Sequence, residues 1–364
     1  MMRRILKNIL ALGVGVLVSL VILEVFLQLY NPLSPRVKGN TILIPANQKY
    51  IYENGRIAGL DEKIIHTKNS LGFRGDELPG DAEDHLKIIA VGGSTTECYV
   101  INDGKDWPNL VQKQLKQYIP EIWINNAGLN GHSTFGHKVL LQDHVFKLKP
   151  DYVLLMVGIN EVERDDLVNT DSISLSTDLY KNRNWKGKIA GYFELTSTIF
   201  NLYYTYKAHT LQIYDAVYTP QTDTLSLSPQ QTSFELQKQQ KYLQAYRKRL
   251  TEIIMLCKAN NVKPVLITQP SVLGGGYDSA TNINYNKVKH LTRNGEVQWQ
   301  VLELYNDVTR QTGSLTACYV IDLAREMPKS SAFFYDAIHF TNAGSARVAE
   351  IVAARLLPYL QKKR

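Results

Sequence analysis

Little in this chain speaks for disulfides, nucleotides, metals or nucleic acid. Cysteine occurs three times in 364 residues, as Cys98, Cys257 and Cys318, too few for a disulfide framework. Cys257 falls at an apolar position of a predicted helix and Cys318 in a predicted strand, so both read as small buried hydrophobes. No cysteine stands near the N-terminus, where lipidation would need one. The GxxxxGK[ST] pattern of a phosphate cradle is absent, and so is a dinucleotide-binding GxGxxG. His132, His137 and His144 are close in sequence but have no acidic or cysteine partner at ligand spacing. Neither metal nor cofactor is therefore expected, and His137 and His144 are assigned to a helix face. A GxSxG elbow fails because Thr96 stands where its second glycine belongs. A polybasic stripe is missing too. The formal charge is +7, from 41 basic and 34 acidic side chains. Six of the basic residues sit at the chain ends (Arg3, Arg4, Lys7, Lys362, Lys363 and Arg364), which leaves 35 against 34 in the body. That balance argues against a nucleic-acid partner.

One long apolar run is present. Residues 1–30 begin with a short basic stretch and continue as an uncharged run from Asn8 to Leu23, interrupted by Glu24 and resumed from Val25 to Tyr30. From Ile5 to Tyr30 is ample to cross a hydrocarbon core of about 30 Å at about 1.5 Å per residue. Lys7 and Glu24 stand near its ends, where snorkelling reaches the interfaces. A cleaved signal peptide competes with an anchor, but the apolar core is long and no small-x-small site precedes Asn31-Pro32. The reading taken is a single-pass signal anchor over 1–30. The basic N-terminal side places that end in the cytoplasm and the body on the extracytoplasmic side.

Residues 31–85, with Pro32, Pro35, Pro45 and Pro79-Gly80-Asp81, read as a linker and an irregular N-terminal cap. From 86 to 364 apolar runs alternate with helical spacing. Strands are expected at Lys87–Val91, Trp123–Asn126, Tyr152–Val157, Val262–Thr268 and Cys318–Leu323. Helices are expected at Trp107–Tyr118, His137–Leu148, about Val297 to Thr312, and Ala343–Leu360. Thr232-Ser233-Phe234-Glu235 offers a capping box. The helix after it places Leu236, Leu243, Tyr246, Leu250, Ile253, Ile254 and Cys257 on one face. The segment 269–283 reads as a loop. Residues 161–231 break the rhythm with Tyr192, Phe193, Phe200, Tyr203, Tyr204, Tyr206, Tyr214 and Tyr218. They predict one or two inserted helices: a lid, a partner surface, a membrane-proximal face, or a hairpin that only packs on the core. Strands alternating with helices predict an open, mostly parallel α/β sheet with helices on both faces.

In such sheets ligands bind outside the carboxyl ends of the strands. The glycine-rich stretches fall there. VGGSTTE (91–97) follows the first strand, Asn126-Ala127-Gly128-Leu129-Asn130-Gly131 the second, and Gly158-Ile159-Asn160-Glu161 the third. The first of these raises a choice between a tight turn, a phosphate site and an exposed nucleophile. Serine needs a base to become a nucleophile. Asp336-Ala337-Ile338-His339 supplies an acid three residues before a histidine, suited to orient the imidazole. Backbone amides of Ser94 and Gly131, with the Asn160 side-chain amide, are candidate oxyanion donors. Each alone has a bland explanation, as a turn or a cap; the combination does not.

These four stretches, in this order, resemble the blocks of the SGNH hydrolase family, a branch of the GDSL-type esterases and lipases, over roughly residues 88–358. The GxND block appears as Gly158-Ile159-Asn160-Glu161, which keeps the asparagine. Asn69-Ser70-Leu71-Gly72-Phe73-Arg74 is similar to a segment preceding the domain in membrane-anchored bacterial members. Cys98 departs from the pattern, where many relatives have glycine, and this bears on pocket size. The resemblance implies a flavodoxin-like three-layer α/β/α fold and metal-free ester hydrolysis through an acyl-enzyme. Ser94 would attack, His339 would carry the proton, and Asp336 would orient His339. Ser94, Gly131 and Asn160 would form the oxyanion hole. An ester-bearing glycan, lipid or small molecule is the implied substrate, with an O-acetyl ester of an envelope carbohydrate taken first. An acyltransferase, a lipase or thioesterase, and a non-catalytic binding protein on the same scaffold are the alternatives.

Overall fold

The apolar runs become the strands of one sheet. A computed structural model describes residues 2–30, 37–38, 41–55, 57–164, 185–210, 223–290 and 292–362. It divides into two units, Met1–Leu43 with Ser172–Tyr214, and Ile44–Asp171 with Asp215–Arg364.

The second unit opens with a hairpin, β1 (Gln48–Glu53) paired antiparallel to β2 (Lys63–Lys68), where the sequence suggested irregular chain. Its signal is weak because the exposed Ile51 stands between the half-buried Tyr50 and Tyr52, so the sequence shows no apolar–polar alternation although the burial does. Then follow β3 (Leu86–Gly92), β4 (Ile122–Asn126), β5 (Tyr152–Met156), β6 (Lys263–Ile267) and β7 (Tyr319–Ile321). They form a parallel sheet in the order β7-β6-β5-β3-β4. The register sets Ile88 beside both Ile124 and Tyr152, and Val265 beside Tyr319 and Leu154. All of β4 and β5 is buried, as a strand covered on both faces requires.

Helix α1 (Trp107–Leu115) packs with the C-terminal helix α5 (Asn342–Gln361). The cluster they share with the sheet holds Ile88, Ala90, Val111, Leu154, Val265, Val348 and Val352. Ile89 and Val91 alternate to the opposite face, where α2 (Thr134–Asp143), α3 (Gln240–Ala259) and α4 (Gly295–Leu315) lie side by side. Helices on both faces give the three-layer α/β/α fold. From β3 the chain moves outward to β4, then returns to the other side of β3 as β5. The carboxyl ends of β3 and β5 therefore flank the switch point, where loops leave in opposite directions and a crevice opens.

Two helix expectations needed correction. The helix expected at His137–Leu148 starts at Thr134, capped by Ser133, and ends at Asp143; beyond His144, Val145–Leu148 is a 3-10 turn. Apolar spacing runs through both pieces, so the break left no mark in the pattern. The capping box belongs to Ser228 and Gln231, not Thr232 and Glu235. Its helix, Pro229–Gln237, stops before α3 begins at Gln240, so Leu236 lies on a separate helix from Leu243. Ser-Pro-x-x satisfies the same cap rule one turn earlier, with proline at the first helical position.

In the first unit, Met2–Leu29 is one 28-residue helix, about 42 Å long at 1.5 Å per residue. It is apolar and exposed, and fits a membrane anchor or a signal sequence. The expected insertion contributes helices Trp185–Tyr192 and Glu194–Thr210. Its residues 165–184 and 211–222, including Tyr214 and Tyr218, lie outside the described residues, as do Pro32 and Pro35.

Candidate active site

Ser94 opens a single helical turn, Ser94–Glu97, directly after β3. As its first residue, Ser94 has a backbone amide without an intrahelical acceptor. Its Oγ lies 2.7 Å from His339 Nε2, across 245 residues of sequence. His339 Nδ1 lies 2.6 Å from Asp336 Oδ2. When Nδ1–H donates to the carboxylate, Nε2 is left to accept the Ser94 hydroxyl proton. The other Asp336 oxygen accepts the amides of Ile338 at 2.9 Å and His339 at 2.7 Å. Burial pushes the Asp336 carboxyl up, but the adjacent His339 and these amides outweigh it and hold it below the usual range.

The acid–histidine turn is itself pinned. Tyr335 stacks on the His339 ring at 5.6 Å, and its amide donates to the His339 carbonyl. The Ala337 carbonyl accepts from Ser271 Oγ and from the Val272 amide. Thr341 caps α5.

The glycine block folds over the nucleophile turn. Leu129 N–H donates to the Gly92 carbonyl. Gly131 has φ +77°, the left-handed region that suits glycine. Among the described residues its amide has no acceptor within the chain. Asn160 follows β5, in a 3-10 turn. Its Nδ2 donates to the His132 carbonyl at 2.9 Å, and a Cβ on Gly93 would come within 2.4 Å of that nitrogen. Asn160 therefore sits against the residue before Ser94.

Two buried carboxylates bracket Gly131, and sequence reading did not assign them this role. Glu97 Oε2 accepts Asn130 N–H at 2.7 Å, while its Oε1 pairs with Lys68 of β2 at 3.2 Å. Glu161 accepts the Thr134 amide at 2.6 Å and pairs with Arg249 of α3 at 2.9 Å. Glu97 directly ends the VGGSTTE stretch, so its place was visible. Lys68 lies 29 residues upstream, in the hairpin that was not foreseen. Arg74, in the segment Asn69–Arg74, is fully buried and donates to the carbonyls of Glu97, Cys98 and Ile101. It holds the loop that walls the site.

That wall surrounds a cavity of about 250 Å³. Ser94, Asp336 and His339 line it together with Ile57, Cys98, Tyr99, Val100, Ile101, Tyr335 and Phe340. Cys98 is left-handed, at φ +52° and ψ +50°, which accounts for glycine being acceptable there. Burial raises its thiol well above the usual range, so it is no thiolate nucleophile. Cys257 is buried in α3 and Cys318 sits just before β7. His132 and His137 lie with ring centroids 6.3 Å apart, and His137 is buried in α2 rather than displayed on its surface. No cluster suited to a metal ion occurs among the described residues.

A doubly covered parallel sheet with this serine, histidine and acid at its carboxyl edge defines an SGNH-type carboxylic ester hydrolase. The sequence model of the GDSL-like lipase/acylhydrolase family matches residues 90–347, and the chain belongs to that family. Among solved structures it is similar to LAE5, an alpha/beta hydrolase enzyme from the metagenome of Lake Arreo, Spain. The two are 16% identical over 74% of this chain and 94% of that one, with a TM-score of 0.42. It is similar to AlAXEase, an acetyl xylan esterase, at 16% identity over 74% and 98% of the two chains, with TM-score 0.42. Axe2, an acetylxylan esterase from Geobacillus stearothermophilus, is 15% identical over 74% and 94%, with TM-score 0.41. No curated protein matches the chain.

Proposed function

We propose that the chain hydrolyses short O-acyl esters, O-acetyl above all, on an envelope carbohydrate, and that it does so through an acyl-enzyme. The observation that carries this reading is the unbroken relay Ser94 Oγ, His339 Nε2, His339 Nδ1, Asp336 Oδ2, with links of 2.7 and 2.6 Å. His339 takes the Ser94 proton as Oγ bonds to the ester carbonyl carbon. It returns that proton to the departing sugar oxygen as the C–O bond breaks. Water then repeats the sequence on the acyl-Ser94 ester, releasing carboxylic acid and free serine. Asp336 keeps the imidazole in the required tautomer and stabilises its protonated form. The Ser94 and Gly131 amides and the Asn160 side chain hold the oxyanion.

The cavity supports a small acyl group. Its walls are mostly apolar or aromatic, and two of its non-catalytic polar groups are already engaged. Thr95 Oγ1 is bonded to Gln269, and the Asn130 amide to Glu97. A polyhydroxylated sugar would find few partners inside, so the sugar is placed at the mouth and the acyl group within. The catalytic body is residues 86–364. Arg3, Arg4 and Lys7 in the first two turns of the apolar helix support an extracytoplasmic site.

The test is turnover of p-nitrophenyl acetate, butyrate and octanoate by the full chain in detergent, beside Ser94→Ala. Faster turnover of acetate or butyrate than octanoate is expected, abolished in the variant. Undiminished turnover in Ser94→Ala would remove the mechanism. A preference for octanoate would replace the short acyl group with a lipid chain.

A further inference from the structure

Glu24 is the only acidic residue of the helix Met2–Leu29. Its Oε1 accepts the Glu194 amide at 2.8 Å, and its Oε2 accepts the Leu195 amide at 2.9 Å. Gln28 Nε2 donates to Oε1 as well, at 2.8 Å. Glu194 and Leu195 open the helix Glu194–Thr210, so their amides have no intrahelical acceptor and stand at the positive end of its dipole. Glu24 thus caps a helix about 170 residues away in sequence. Lys38 pairs with Glu194 at the same point. Leu27, next along the apolar helix, is its one buried residue. The C-terminal part of the apolar helix is therefore built into the inserted helices. A leader destined for removal has no use for a cap and a packing contact with the mature chain.

Around these ties, apolar side chains stand in the open. Ile189, Tyr192, Phe193, Ile199, Leu202 and Tyr203 are all exposed, Tyr192 by 78%. Phe26 and Leu29 on the other helix, and Tyr30 just past its end, are exposed too. A patch of this extent facing water is unusual in a soluble protein. Tyrosine and phenylalanine grouped at the end of a spanning helix match the interfacial aromatic belt, where an apolar ring and a polar tip are both accommodated. Glu24 lies five residues from the helix end, about 7.5 Å at 1.5 Å per residue. With the helix end at the headgroup level, that depth falls at the boundary between headgroups and acyl chains.

We propose that the N-terminal helix remains in the mature chain. Its C-terminal end and the helices Trp185–Tyr192 and Glu194–Thr210 form a foot embedded in the headgroup–acyl boundary of a lipid bilayer. The inference rests on the apolar helix crossing that bilayer. The insertion then serves to seat the enzyme on its membrane.

The experiment places an environment-sensitive nitrobenzoxadiazole dye on Phe193→Cys, and separately on Leu202→Cys, in the full chain. Cys98 and Cys257 are buried, and labelling of the unsubstituted chain corrects for Cys318. The protein is held in nanodiscs of phosphatidylcholine and phosphatidylglycerol. At both positions a blue shift, quenching by a nitroxide near the top of the lipid acyl chain, and loss of quenching by aqueous iodide are expected. Intact mass after expression in a bacterial host should show the N-terminal helix retained. Iodide quenching without nitroxide quenching would overturn the foot. Protection from both quenchers would overturn it too, in favour of a protein partner or a second copy. A mass beginning beyond residue 30 would instead refute the anchor, separating failure of the anchor reading from failure of the foot.

Discussion

Asn160 has one amide hydrogen committed to the His132 carbonyl and a second on the same nitrogen. The first fixes the plane of the amide, and the second can then serve a developing oxyanion without any rearrangement. An asparagine suits the oxyanion role proposed for it: a hydroxyl has one hydrogen and cannot do both. Asn160→Ala should lower kcat by about 10²–10³, the usual cost of one such donor, with KM little altered. Initial rates on p-nitrophenyl acetate decide it. A loss within a factor of about two would leave Asn160 only the task of bracing His132. The candidate serine, asparagine and histidine are legible in the sequence because each sits in a short block with few other uses. The residues that support them were not, since Tyr335 and Gln269 act by stacking and bonding and carry no spacing rule.

At the level of elements, Gly131 is held by neighbours that arrive from different parts of the chain. Lys68 of β2 neutralises Glu97, and Glu97 takes the Asn130 amide. On the far side Arg249 of α3 neutralises Glu161, which takes the Thr134 amide. The ion pairs are buried, where removing one partner strands the other charge, so charge and hydrogen bonding must be separated by the choice of variant. Glu97→Asp keeps the charge but shortens the reach to Asn130. It should lower kcat by about tenfold or more, given that a 1 Å misplacement can cost about 10²-fold, with KM almost unchanged. Lys68→Met combined with Glu97→Gln removes both charges but keeps an acceptor for Asn130, and should restore kcat to near wild type. A merely structural role would lower thermal stability in Glu97→Asp and leave its kcat alone; equally slow turnover in the double variant would also refute the clamp. The site's loops were legible at this scale because glycine and small polar residues close every strand that bears on it. The clamp was not: one of its two cations, Lys68, comes from a hairpin whose first strand carries the exposed Ile51 between two half-buried tyrosines and so loses its period-two sequence signal, and pairing across 29 residues has no local signature. Helix ends were legible to within a turn, and failed where apolar spacing continued past a break, as at His144.

Across the molecule, the alternation of five apolar runs with helices was enough to define the doubly covered sheet, because strands buried on both faces admit few polar residues. The response to acid lies beyond such patterns, since it depends on what tertiary packing places around one ring. His66 in β2 is fully buried among Tyr50 and Tyr99, with Nδ1 3.2 Å from the Tyr99 carbonyl. Burial, then the positive charges of Arg74 and Lys68, push its pKa down to about 3, with Glu97 opposing. The folded form therefore holds His66 neutral where the unfolded chain, with a pKa of about 6.5, takes up a proton. A depressed folded value means this stability is fully present above about pH 6.5 and is lost as pH falls toward the folded value. Between those limits the loss should approach about 1.4 kcal/mol per pH unit from this residue. Urea unfolding followed from pH 7 to pH 4 should show that slope, and His66→Gln should flatten it even if the variant is less stable at pH 7. The carboxylates, Asp336 among them, titrate in both proteins and cancel in the difference. An unchanged slope in His66→Gln would mean that the ring is hydrated in the folded state and that the hairpin does not seal this side of the active-site loop.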